Sequence, residues 1–158
     1  MEVADFLNPE DVVAGLGSAN KAQLLRELAR RAGSAVKIES QMILEALQAR
    51  EELGSTGVGH GIAVPHARIK AIPRLFGLFT CLDKAIDFAA IDEQPVDLVF
   101  LLLIPWEAGS EHLAALAAVS RRLRNKDVTR ELRAQTNPRK LFETLTGSPL
   151  TDKLASKP

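Results

Sequence analysis

A layered α/β domain, with a small mixed sheet between helices on both sides, is the fold this 158-residue sequence predicts. Two stretches, Arg74–Leu82 and Val96–Ile104, are rich in Leu, Phe, Val and Ile. The second is apolar on both faces, as a central strand covered by helices would be. Segments with the 3.6-residue apolar period of a helix stand before and after this pair. Repeats, low-complexity tracts and linker-like stretches are absent, so one domain is expected over 1–158, its core at about 5–147 and a frayed tail at 148–158. Such a chain can bury about 68–70% of its unfolded surface.

Taken in order, Glu10–Ala14 is weakly strand-like. Lys21–Ala32 reads as a helix with Ser18 or Asn20 as N-cap, Gly33 as the residue just past its end, and an apolar stripe of Leu25, Leu28, Ala29 and Ala32. A second helix, Glu39–Leu53, aligns Ile43, Ala46 and Leu47 on one face. After a glycine-rich stretch comes a short extended piece, Ile62–Val64, and then the two strands. Gly109–Arg124 follows as a helix, with Leu113, Leu116, Ala117, Ser120 and Leu123 expected on the buried side. Asp127–Arg133 and Asn137–Leu145 read as two short helices, the latter opened by a cap residue and proline at the first helical position.

Composition narrows the function. Twenty basic and twenty acidic residues cancel, so no overall basic field attracts nucleic acid or anionic lipid, and neither is expected as a partner. Cys81 is the single cysteine, which rules out an internal disulfide and fits a reducing compartment. No basic head precedes an apolar N-terminal stretch, and Leu98–Pro105 is far shorter than the roughly 20 residues a membrane helix needs. A cytoplasmic location is expected.

The chemistry gathers at Gly54–Arg68, where four glycines in eight positions precede Pro65–His66. Glycine thins out side chains and permits positive φ, while proline fixes its own φ and holds Val64 extended. A rigidly held imidazole beside an uncluttered cavity is expected. With an ordinary pKa of about 6.5, His66 offers one nitrogen as a nucleophile while the other fixes the tautomer. Arg50 lies seven residues after Ile43 and three after Leu47, on the apolar side of its helix, with Leu53 continuing that face. An inward arginine needs an anionic partner, and its sequence neighbours Glu51 and Glu52 are badly placed to supply one. His112 falls in a helix first turn if Ser110 caps it, where the dipole favours anions and a neutral ring.

Ser55 and Thr56 are candidate hydroxyl donors to the same anion, with turn and capping duties as the alternative. His60 is six residues from His66 and matches no zinc-ligand spacing. Metal ligation by His60, His66 and His112 therefore stands only as a minor alternative, and no metal or cofactor is called for. A Walker loop, a dinucleotide fingerprint and a nucleophile elbow are all missing.

Gly54–Ser–Thr–Gly–Val–Gly–His–Gly–Ile–Ala–Val–Pro–His66 resembles the active-site signature of EIIA domains of the fructose/mannitol type. These belong to the phosphoenolpyruvate-dependent phosphotransferase system. Arg50 before the motif, Gln94–Pro–Val–Asp–Leu98 and His112 extend the likeness over about residues 5–147. The resemblance implies a mixed sheet flanked by helices, and a phosphoryl group carried on His66 after transfer from an HPr-type phosphohistidine. It also implies that Arg50 and His112 line the same pocket, with Arg50 offsetting phosphoryl charge and His112 donating a hydrogen bond. Ala67–Arg68 departs from the glycine common after the active histidine.

Three functional readings follow. The Gly-Ser-Thr-Gly stretch looks most like the nitrogen-regulatory form, whose phosphorylation state governs its target proteins. The second reading is a sugar-transport relay to an EIIB domain. The third is an anion- or metal-binding module that is never phosphorylated.

Overall fold

The structure, a computed structural model, describes residues 1–147. The expected fraying of 148–158 lies outside the described residues. A 3-10 turn at Val3–Asp5 leads into β1 (Leu7–Leu16), α1 (Lys21–Val36) and α2 (Ser40–Glu52). Three short strands follow: β2 (Gly57–Gly59), β3 (Ile62–Ala63) and β4 (His66–Ile69). Two long ones, β5 (Phe76–Ile86) and β6 (Val96–Pro105), precede α3 (Glu111–Arg124), α4 (Lys126–Ala134) and α5 (Pro138–Thr146).

The strands form one mixed sheet in the order β1-β5-β6-β3-β2, with β4 also on β6. β5 and β6 are the antiparallel centre, Phe79 opposite Phe100 and Leu78 opposite Leu101. From Leu98 to Ile104 every side chain of β6 is buried, which explains the unbroken apolar run. One sheet face carries Leu24, Leu28, Ala32, Ile43 and Leu47 from α1 and α2. The other carries Ala115, Val119, Leu132, Leu141 and Phe142 from α3, α4 and α5. The layered α/β reading holds.

Several local expectations needed correction. Gly33 does not end α1. The helix runs on to Val36, and Lys37 adopts the left-handed conformation at its end with φ 63°. Gly33 is instead a packing residue, because a Cβ there would meet the Ile38 carbonyl oxygen at 2.6 Å. At the other end Asn20 is the cap, its side chain accepting from the Gln23 amide. In α2, Leu53 does not continue the buried face; it is 85% exposed. Rather than leucine, alanine decides the orientation of α3. Ala115, Ala118, Val119 and Leu123 face the sheet, while Leu113, Ala117 and Ser120 face out and Leu116 is half-buried. Small side chains let a helix approach the sheet closely, and the second apolar stripe then has nothing to pack on.

Candidate functional site

Parallel pairing with β6 sets His66 at the first position of β4, opposite Leu102. The Leu102 amide donates to the Pro65 carbonyl at 2.9 Å, and the Val64 amide to Thr56 at 3.0 Å, so the Val-Pro-His backbone is held on both sides. His66 Nδ1 lies 2.8 Å from its own Val64 carbonyl. A carbonyl only accepts, so Nδ1 carries the proton and Nε2 keeps its lone pair. That lone pair faces the Nε–H of Arg50 at 3.3 Å. Arg50 is itself steadied by donating from Nη1 to the Gly54 carbonyl at 2.9 Å.

Burial is the main reason the His66 imidazole titrates below the ordinary histidine value of 6.5, with the Arg50 and His112 charges adding to it and the Val64 bond opposing it. The ring is therefore neutral at pH 7, as a nucleophile must be. Arg50 makes no ion pair with a carboxylate among the described residues. Its neighbour Glu51 is taken by Lys21 Nζ at 3.1 Å and by the Thr56 amide and hydroxyl. The guanidinium is left facing the imidazole without a counter-ion.

The expected hydroxyl donors are spent elsewhere. Thr56 is buried and gives its hydroxyl to Glu51. Ser55 donates to the Phe88 carbonyl at 3.0 Å while accepting from the Gly57 amide. Both close the turn after α2, the alternative duty weighed from the sequence. His60 stands apart. It occupies the β2–β3 turn at φ 57° between Gly59 and Gly61, which also have positive φ. Its amide donates to Asp92, and its carbonyl accepts from Arg133. Among the described residues no group of three or more His, Cys, Asp or Glu side chains could hold a metal ion.

His112 does reach the neighbourhood of His66, from the first turn of α3, although Ser110 makes no side-chain cap. Ala115 and Val119 lie three and seven residues on, so the face that packs against the sheet also brings His112 inward. Its Nδ1 is 2.8 Å from the Gly109 carbonyl and 3.1 Å from Arg68 Nη2. These contacts ask for opposite states of one nitrogen. The shorter, carbonyl contact places the proton on Nδ1 of the neutral ring, leaving Nε2 bare. His112 thus becomes a donor at Nε2 only as an imidazolium, or when Nδ1 turns to accept from Arg68.

Arg68 is the site residue that the sequence reading passed over. Two residues beyond His66 on the same strand, it projects from the same face of β4. Its Nη1 donates to the carbonyls of Trp106 and Ala108 at 2.9 and 3.1 Å, tying the loop before α3 to β4. The signal available in advance was this spacing: a cation at i+2 on a strand stands beside residue i. A groove of about 1040 Å³ opens alongside, lined by Val64 and Ile62 but not by the imidazole.

Comparison with known proteins agrees with this fold. The family model described as the phosphoenolpyruvate-dependent sugar phosphotransferase system, EIIA 2, matches residues 5–148. A nitrogen regulatory protein of Bradyrhizobium diazoefficiens is 42% identical over 151 residues, 96% of this chain and 99% of that one. The crystal structure of nitrogen regulatory protein IIA-Ntr from Neisseria meningitidis superposes with a TM-score of 0.86 at 29% identity, covering 91% of this chain and 99% of that one. Enzyme IIA for mannitol from Escherichia coli, solved in complex with phosphorylated IIB, shares the fold at 21% identity and TM-score 0.75, covering 89% and 96%. No helix among the described residues is long and apolar enough to cross a membrane. With its neutral, arginine-faced histidine in this sheet, the chain belongs to the EIIA 2 family of the phosphoenolpyruvate-dependent sugar phosphotransferase system.

Proposed function

We propose that this protein accepts a phosphoryl group on Nε2 of His66 from an HPr-type phosphohistidine, and that the charge so acquired decides which proteins it binds. The observation that carries the reading is the pinned tautomer: Nδ1–H on the Val64 carbonyl at 2.8 Å, and bare Nε2 toward Arg50 at 3.3 Å. In the donor complex the Nε2 lone pair attacks phosphorus. A P–N bond forms as the donor's P–N bond breaks, and the donor nitrogen leaves with the electron pair. One phosphoramidate replaces another, so transfer is reversible, and positioning with charge neutralisation is what the protein must supply.

Arg50 moves from the imidazole to the equatorial oxygens in charge-assisted bonds. As the dianion arrives, the neutral His112 ring accepts from Arg68 Nη2 at Nδ1 and donates its Nε2–H to a phosphoryl oxygen. Arg68 positions that ring and the loop before α3. Three exposed apolar side chains stand around these groups: Leu53 beyond Arg50, Leu113 beside His112, and Trp106, whose carbonyl Arg68 holds. They form the ring on which a donor protein docks. Phosphorylation adds about −1.5 to −2 charges at the centre of that ring, enough to exchange one set of partners for another.

The nitrogen regulatory name of the Bradyrhizobium relative favours the regulatory role. A relay to an IIB domain is the second reading, favoured by the mannitol relative's complex with phosphorylated IIB. Incubation with radiolabelled phosphoenolpyruvate, the general first enzyme and an HPr tests the carrier step. Acid-labile, base-stable label on the wild type and none on His66→Ala is expected. Absence of label from the wild type would leave only a non-phosphorylated binding module. Passage of that label to an added IIB domain would favour the relay. Arg50→Ala should slow labelling about 100-fold with the fold intact; an unchanged rate removes Arg50 from the mechanism.

A further inference from the structure

Ile62 and Val64 belong to the apolar cluster beneath α3, α4 and α5, and His66 and Arg68 continue their alternating row along the same sheet face. Beside the Ile62–Val64 end of this row lies the groove of about 1040 Å³. Its floor is Ile62, Val64 and Leu123, and its rim carries Arg124, Lys126 and Arg130. Val58, 57% exposed on the edge strand β2, forms an apolar lip.

Charge is segregated here. The whole chain is neutral, yet residues 121–133 hold six basic side chains against two acidic ones, a local excess that favours an anionic partner. Arg133 is occupied by Asp97 and the His60 carbonyl. Arg130 pairs with Asp127 only across solvent, where an ion pair contributes little. Arg124 and Lys126 have no carboxylate within 4.0 Å among the described residues.

We propose that this groove is a second docking site, which takes an acidic amphipathic segment of a partner protein alongside the His66 site. Apolar side chains at helical spacing would rest on Ile62, Val64 and Leu123, with carboxylates toward Arg124 and Lys126. A nucleotide fits less well. No aromatic ring lines the groove to stack a base. The first amides of α4, where a phosphate would sit, already donate to the Asn125 side chain. The volume also reaches the upper end of the roughly 300–1,000 Å³ usual for small ligands.

The test uses a fluorescein-labelled peptide of about four helical turns, with Leu at i, i+3, i+4 and i+7 and Glu elsewhere. Fluorescence anisotropy and amide NMR shifts on the full chain are the readouts. Saturable, salt-weakened binding is expected, with shifts concentrated in residues 58–64 and 120–133. Affinity should fall about tenfold or more in Arg124→Glu/Lys126→Glu and severalfold in Arg124→Ala/Lys126→Ala. A peptide with Ser for Leu should not bind. His66→Ala should bind like the wild type, and the double glutamate variant should still accept label on His66, which separates this proposal from the carrier reading. Absent saturation, shifts clustered elsewhere, unchanged affinity in the double variant, or ATP displacing the peptide from the same residues would each overturn it.

Discussion

α1 and α3 lie against opposite faces of one sheet and treat their leucines differently. α1 buries all of its own, Leu24, Leu25 and Leu28. α3 turns Ala115, Ala118 and Val119 inward and leaves Leu113 62% exposed. The first helix serves the core alone. The second serves the core and a site at once: the rotation that packs its alanines also delivers His112 toward His66 and strands Leu113 outside. An apolar residue can thus be withheld from the core by the demand that its neighbour reach the chemistry.

Truncation of a buried leucine sharpens this contrast most. Leu28→Ala should cost about 3 kcal/mol in urea unfolding, while any protein still folded accepts the phosphoryl group normally. Overfilling a close contact of each helix comes next. Gly33→Ala would press a methyl on the Ile38 carbonyl, and Ala115→Leu would lift α3 from the sheet. Each should lose roughly 1–3 kcal/mol, and only the second should also slow phosphoryl acceptance. Leu113→Ala should change stability by less than about 0.5 kcal/mol yet slow transfer from the donor protein. Equal stability losses for Leu28→Ala and Leu113→Ala would erase the distinction.

The smallest effect concerns acidity at the start of β4. The folded His66 value lies below its unfolded one, so the neutral ring favours the native state. Its contribution is present above pH 6.5 and is lost as pH falls through the depressed value. The acceptance rate should stay flat on lowering the pH through 6.5 and drop only below it. In an NMR titration of Arg50→Ala most of the depression should persist, because burial outweighs the guanidinium. Full reversion to the ordinary histidine value would make Arg50, not burial, the principal cause.

The chain's own chemistry settled a good deal. The unbroken apolar run at Val96–Ile104 announces a central strand, since only burial on both faces tolerates it. Asn20 and Asn137–Pro138 mark helix starts through hydrogen bonds and φ restrictions that act within a few residues. The glycine-framed Val-Pro-His singles out His66 for the same local reason.

What remained hidden depended on distance. Two apolar stripes compete on α3, and only contact with the sheet chooses between them. The Ser55 and Thr56 hydroxyls found partners at Phe88 and Glu51, the former 33 residues away. Arg68 joined the site by bridging to a helix that begins more than 40 residues later. Local conformation follows from neighbouring residues, but the partner of a polar side chain is chosen by chain closure, and folding alone performs that step.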